Sequence, residues 1–247
     1  MNDIMNLHPS SRQTIADTGS NIQDFSWSVD PVSPVRMQVY EGLRQRIIHG
    51  EIPPGAVLSE AEISRILSVS RQPVREAFLK LSEDGLLEIR PQRGTYVRKI
   101  NKEAVMDARF VREAIEARIV RELALTHNAD LISRLRAILA AQEAVPLSCL
   151  DDFMKLDEEF HKTLANAACR LYGWKVIEAI KIQIDRVRYL TLQKFPQKKL
   201  IYQHTAITDA IEQGLADQAE HEMQQHLRLV LEDLPGVEKA HPDYFTT

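Results

Sequence analysis

Four residues form the strongest chemical pattern in the chain. Asp157 and His161 are four apart and so share one face of a helix. His204 lies on a later helical stretch and His226 on the last one. One carboxylate and three imidazoles from three helices would suit a divalent transition metal such as zinc, nickel or manganese. Spacing alone favours a plainer alternative, an Asp–His pair on a solvated face plus two unrelated surface histidines. His221 is a rival ligand in a more polar stretch. A second pattern is Ser70-Arg71-Gln72-Pro73-Val74-Arg75. Here Arg and Gln stand at the N-terminus of a helix, where they can read guanine and adenine edges in a DNA major groove.

Both patterns need elements to hold them. Ser59 and Glu62 make a capping box, so a helix starts at Glu60, with Ile63, Ile66 and Leu67 as its apolar stripe. Ser68-Val69 breaks it, Ser70 caps the next helix, and Pro73 fits that helix's first turn. Val74, Ala77, Phe78 and Leu81 give this second helix a buried face. Residues 86–90 and 95–99 read as short strands around the tip Pro91-Gln92-Arg93-Gly94, a wing able to touch phosphate or the minor groove. Upstream, Ser33 and Pro34 start a helix buried through Val35, Val39, Leu43 and Ile47 and ended by Gly50. Beyond the Asn101 cap the pattern is helical throughout: 102–127, 130–144, 150–168, 172–194, 198–213 and 216–234. An antiparallel all-α bundle follows.

The 247 residues suffice for one large or two modest domains. The expected division is a disordered arm over 1–30, a DNA-binding domain over 31–100, a bundle over 101–235 and a C-terminal tail over 236–247. Phe25 and Trp27 belong to the arm, where docking on a neighbour competes with the favoured reading of an inert tail. No stretch is long and apolar enough for a membrane span, and two cysteines, Cys149 and Cys169, make no disulfide framework, so a reducing cytoplasm is expected. Net charge is −4 overall, yet residues 31–100 hold 11 Lys/Arg against 8 Asp/Glu. That modest excess suits a dimer that shares its DNA contacts between two copies.

Three segments then resemble, in order, the winged-helix signature of GntR-type bacterial transcription regulators: Ser70–Ala77, Glu83-Asp84-Gly85-Leu86-Leu87 and Arg93-Gly94-Thr95-Tyr96-Val97. Gln72 stands where the family commonly has Thr, and Arg93 where a wing glycine is common. Asp157–His161, Gln203–Ile207 and Met223–Leu227 resemble the motifs of the FCD effector domain of the FadR-like branch. The resemblance implies a mainly α protein, a winged helix-turn-helix followed by an FCD-like bundle. It implies a metal on Asp157, His161, His204 and His226, and DNA contacts from Ser70, Arg71, Gln72, Arg75, Arg93 and Gly94. Gln203 takes the place of a frequent Glu, beside the ligands. The implied effector is a small carboxylate or sugar acid, for which Arg112, Arg186 and Arg188 are candidate cations. The resulting expectation is a homodimeric regulator on a palindromic operator, acting as a repressor released by its effector. The competing reading is a metal-dependent enzyme acting on a small organic acid.

Overall fold

The computed structural model describes residues 27–30, 32–192 and 197–246. The arm reading therefore falls outside them except at its end, as do Phe25 and Pro196. In the N-terminal part, α1 (Val35–Ile48) and α2 (Glu60–Ile66) both pack against α3 (Arg71–Glu83). A three-stranded antiparallel sheet completes it, from β1 (Val57–Leu58), β2 (Leu87–Arg90) and β3 (Gly94–Val97), in the order β1-β3-β2. Leu87 pairs with Val97 and Arg90 with Gly94. The two-residue β1 is too short to show an alternating pattern, and the sequence gives no sign of it.

Local chemistry explains most boundaries. The Ser59 hydroxyl accepts from Glu62 N at 3.4 Å, as the capping box requires. Ser33 does not cap α1: Pro34 holds that position, and Ser33 Oγ donates to Asp30 Oδ2 at 2.8 Å. Ser70 stands at the N-cap of α3, but its side chain makes no capping hydrogen bond. Gly50 ends α1 with a φ of 75°, which a side chain would resist. Val39, Leu43 and Ile47 meet Val74, Ala77, Phe78 and Leu81 in one buried cluster. Trp27 is no inert tail residue. Its ring packs where a Cβ on Gly42 would come within 2.7 Å, and the Arg46 guanidinium lies 4.3 Å from the ring centroid.

The remainder is helical: α4 (Lys102–Ala124), α5 (Ala129–Ala144), α6 (Leu150–Ala167), α7 (Leu171–Ile180), α8 (Ile182–Leu192), α9 (Lys198–Glu212) and α10 (Ala216–Ala240). Asn101 and Asn128 cap α4 and α5 by accepting from Ala104 N and Leu131 N. Phe160, Leu164, Leu135, Ile207 and Met223 centre the bundle core. The single helix expected over 172–194 is two, broken at Lys181, whose ammonium is buried between Glu158 and Asp185. The expected stop at 234 is also wrong. α10 continues through Pro235, because Leu234 and Val237 are both buried in a cluster with Val230, Ile184 and Phe245.

That cluster also corrects the reading of 236–247 as a tail. After a single 3-10 turn at Pro242–Tyr244, Phe245 lies beside Ile100, the residue between the wing and the Asn101 cap. Ile100 N donates to Tyr244 O at 2.7 Å, and Thr246 N to Ile100 O at 3.0 Å. The chain end is thus tied to the connection between the two parts. Other links cross the same junction: Gln183 Nε2 to Gly85 O at 3.4 Å, Arg44 to Asp185 at 3.9 Å, and His49 stacked on Tyr189 at 4.2 Å.

Candidate functional site

Helices α6, α9 and α10 bring Asp157, His161, His204 and His226 together, all buried, with one ligand-type atom from each within 4.8 Å of the others. The surface alternative that spacing favoured is excluded by this burial. His161 Nε2 lies 3.2 Å and His204 Nε2 3.4 Å from His226 Nε2, and Asp157 Oδ1 is 3.6 Å from His204 Nε2. Each opposite ring nitrogen faces an oxygen. His161 Nδ1 meets Glu116 Oε2 at 2.5 Å, His204 Nδ1 meets Gln142 Oε1 at 3.1 Å, and His226 Nδ1 meets Gln203 Oε1 at 3.1 Å. With Nδ1–H as donor, each Nε2 keeps its lone pair. Three lone pairs and a carboxylate then converge, an arrangement that repels itself unless a cation stands among them. The donor set fits a divalent transition metal.

The charge states agree with that fit. Burial drives the His204 imidazole down to about 3, and burial with His204 nearby drives His226 well below 6.5. Both rings are neutral at physiological pH, as ligation needs. Burial alone would raise Asp157; the Arg188 guanidinium outweighs it and holds the carboxyl well below its ordinary range. Glu116 is likewise opposed by burial but brought to about 2 by Arg112 and His161. Gln142 is fully buried, and its amide nitrogen has no partner among the described residues, so the side chain serves through its oxygen. Sequence reasoning did not find Gln142, nor the contact of Glu116 with His161, since both come from helices far away in sequence. His221 is exposed and outside the cluster.

The three candidate effector cations divide. Arg188 gives its terminal nitrogens to Asp157 at 2.5 and 2.7 Å, and Arg112 Nε binds Glu116 at 2.7 Å. Both border a cavity of about 210 Å³ that touches His226 and is walled by α8, α9 and α10. Arg186 does not border it. Two residues apart on a helix, the two side chains leave the axis about 200° apart, and Arg186 points to the other side of α8. Arg186 instead binds Gln183 Oε1 at 3.3 Å near the junction, and burial lowers it to about 10. A larger groove of about 860 Å³ at the junction mixes Glu83, Asp84 and Glu88 with Arg90, Arg98 and Lys99 and does not touch the histidines.

In the N-terminal part, Ser70, Arg71, Gln72 and Arg75 are exposed at the start of α3, and Arg93 and Gly94 are exposed at the wing. Gln72 Nε2 donates to Glu76 Oε1 at 2.9 Å, a bond it must release to read a base. Arg44 and Arg46 on α1 are turned to Asp185 and Trp27. Arg90, exposed and stacked 4.7 Å over Tyr96, adds a wing cation that the motif did not single out.

Comparison with known proteins joins the two parts. Residues 36–97 match the bacterial regulatory proteins of the gntR family, and residues 107–229 match the FCD domain. The chain is 40% identical over 220 residues to the HTH-type transcriptional repressor RspR of Escherichia coli K12, covering 88% of this chain and 96% of that one. It is 34% identical to an HTH-type regulator in an unstable DNA locus of Streptomyces ambofaciens, covering 86% and 90%. Two solved structures share the fold. A GntR transcriptional regulator from Rhodococcus sp. RHA1 has a TM-score of 0.67 at 24% identity, covering 82% of this chain and 99% of its own. Escherichia coli McbR/YncC has a TM-score of 0.63 at 18% identity, covering 81% and 98%. Relatives and domains alike are regulators of transcription, which removes the enzyme reading. The chain belongs to the GntR family of DNA-binding transcription regulators and carries an FCD domain behind its winged helix.

Proposed function

We propose that this regulator is a cytoplasmic homodimer that represses transcription until a small carboxylate or sugar-acid metabolite binds at a metal site in its bundle. Residues 31–100 form the DNA-binding unit and 101–235 the sensing and dimerising unit. The observation that carries the reading is the convergence of three bare Nε2 atoms and the Asp157 carboxylate beside a cavity with two arginines. Asp157, His161, His204 and His226 would hold zinc, nickel or manganese. A bound divalent ion supplies a positive anchor for a carboxylate. Glu116, Gln142 and Gln203 orient the imidazoles, and Arg112 and Arg188 add positive charge at the acid's entry.

On the DNA side, Arg71, Gln72 and Arg75 enter the major groove, Ser70 meets phosphate at the start of α3, and Arg93 and Gly94 bring the wing to the backbone. Two copies related by a two-fold axis place two such helices on a palindromic operator. α8 contributes Arg188 to the site and Gln183, Asp185 and Tyr189 to the junction, so acid binding at one end reaches the head through one rigid element. Metal analysis of purified protein tests the reading. One ion per chain is expected, with loss in His204→Ala while the helical spectrum persists. A wild-type protein that takes up no divalent ion rules the metal site out.

A further inference from the structure

The cavity beside His226 has an uneven lining. Next to the metal cluster stand Arg112 and Arg188. Arg112 binds Glu116 only through Nε, so its two terminal nitrogens are uncommitted among the described residues. The middle of the wall is hydrocarbon, including Ile184, Leu192, Leu200, Leu229 and Val230. Thr191 adds no free donor there, because its hydroxyl already binds Val187 O at 3.0 Å. Lys199 is drawn to Glu232 at 3.1 Å. At the far end Asp233 is half-buried and makes no hydrogen bond among the described residues, although the charges of Lys199 and Arg188 act on it. Asp233 follows His226 by seven residues on α10, about 10 Å along the helix axis.

We infer that the effector is an acid of about six carbons whose body is hydrocarbon and whose far end carries one hydrogen-bond donor, an ammonium or a hydroxyl, received by Asp233. This rests on the metal-and-carboxylate reading above and narrows its ligand class. A polyhydroxylated sugar acid would leave several hydroxyls facing Ile184, Leu200 and Val230 without partners, each at a desolvation cost. A plain fatty acid of the same length would leave the Asp233 carboxylate half-buried without a hydrogen-bond donor. Burial pushes that carboxyl up despite the opposing charges of Lys199 and Arg188, and an approaching donor would relieve it further.

The test is calorimetric titration of zinc-loaded full-length protein with four probes: ε-aminohexanoate, ω-hydroxyhexanoate, hexanoate and gluconate. One or both donor-ended acids should bind at least about tenfold tighter than hexanoate, and gluconate weakest. A stronger ammonium arm assigns a cationic end, and a stronger hydroxyl arm a neutral one. In Asp233→Asn the ammonium acid should lose about tenfold, while hexanoate stays within about twofold. Tightest binding of gluconate, or an unchanged ranking in Asp233→Ala, which removes the acceptor for either kind of end, overturns this inference and leaves the acid sensor standing. Binding of none of the four overturns both.

Discussion

Arg188 places both terminal nitrogens on Asp157, and this pair shows how each residue of the site depends on the next. Removing one partner from a buried pair leaves the other charge unsatisfied, at about 3–5 kcal/mol. Arg188→Met is therefore expected to melt earlier in metal-free form and to be rescued by zinc, which restores a positive partner to Asp157. Equal destabilisation with and without zinc would show that Asp157 does not meet the ion. Acid should also weaken the metal-free fold. His204 has a native pKa of about 3 against an ordinary 6.5. Above pH 6.5 both states are neutral and its contribution to stability is complete. Below that, the unfolded chain takes up a proton that the native ring refuses, so stability falls with pH down to about 3. Between pH 6.5 and 5 this amounts to about 2 kcal/mol, and His226 adds to it in the same direction. Urea unfolding at pH 7 and pH 5 should show a smaller pH effect in His204→Asn than in wild type. Of this chemistry, the four residues of the cluster were legible from type and motif. The distance-dependent facts were not: Arg188 on Asp157 and Gln142 on His204 join residues 31 and 62 positions apart.

Among the elements, α8 and the C-terminal segment tie the bundle to the N-terminal part. Periodicity identified the helices because apolar faces recur wherever a bundle must bury them. It merged α7 with α8, since the break at Lys181 carries no glycine or proline to mark it, and its long-range partner Glu158 lies 23 positions away. It also stopped α10 at the proline, which a buried Leu234–Val237 face overrides. The same face holds Phe245, 2% exposed and paired with Ile100. Phe245→Ala is expected to cost about 3–5 kcal/mol by opening a cavity at this junction. Differential scanning calorimetry should find the loss. A melting temperature equal to wild type would mean that the segment is not docked in solution.

In the whole molecule, the exposed start of α3 and the wing lie in the N-terminal part, with the buried cluster inside the bundle and α8 reaching from one to the other. Charge follows this division, since the basic excess is confined to residues 31–100 of a chain that is acidic overall. Arg71→Ala and Arg75→Ala should each weaken operator binding by about 1–3 kcal/mol without changing metal content, as read by gel shift and metal analysis. Undiminished affinity in both variants would take the reading helix away from α3. The most direct measurement of the central claim is fluorescence anisotropy on operator DNA, with zinc-loaded wild type and His204→Ala, as a carboxylate effector is added. Wild type should release DNA, losing about 1–3 kcal/mol of affinity, while His204→Ala binds equally well and does not respond. A variant that responds as wild type does, or a wild type indifferent to every acid and metal, would contradict the claim that this cluster governs the grip on DNA.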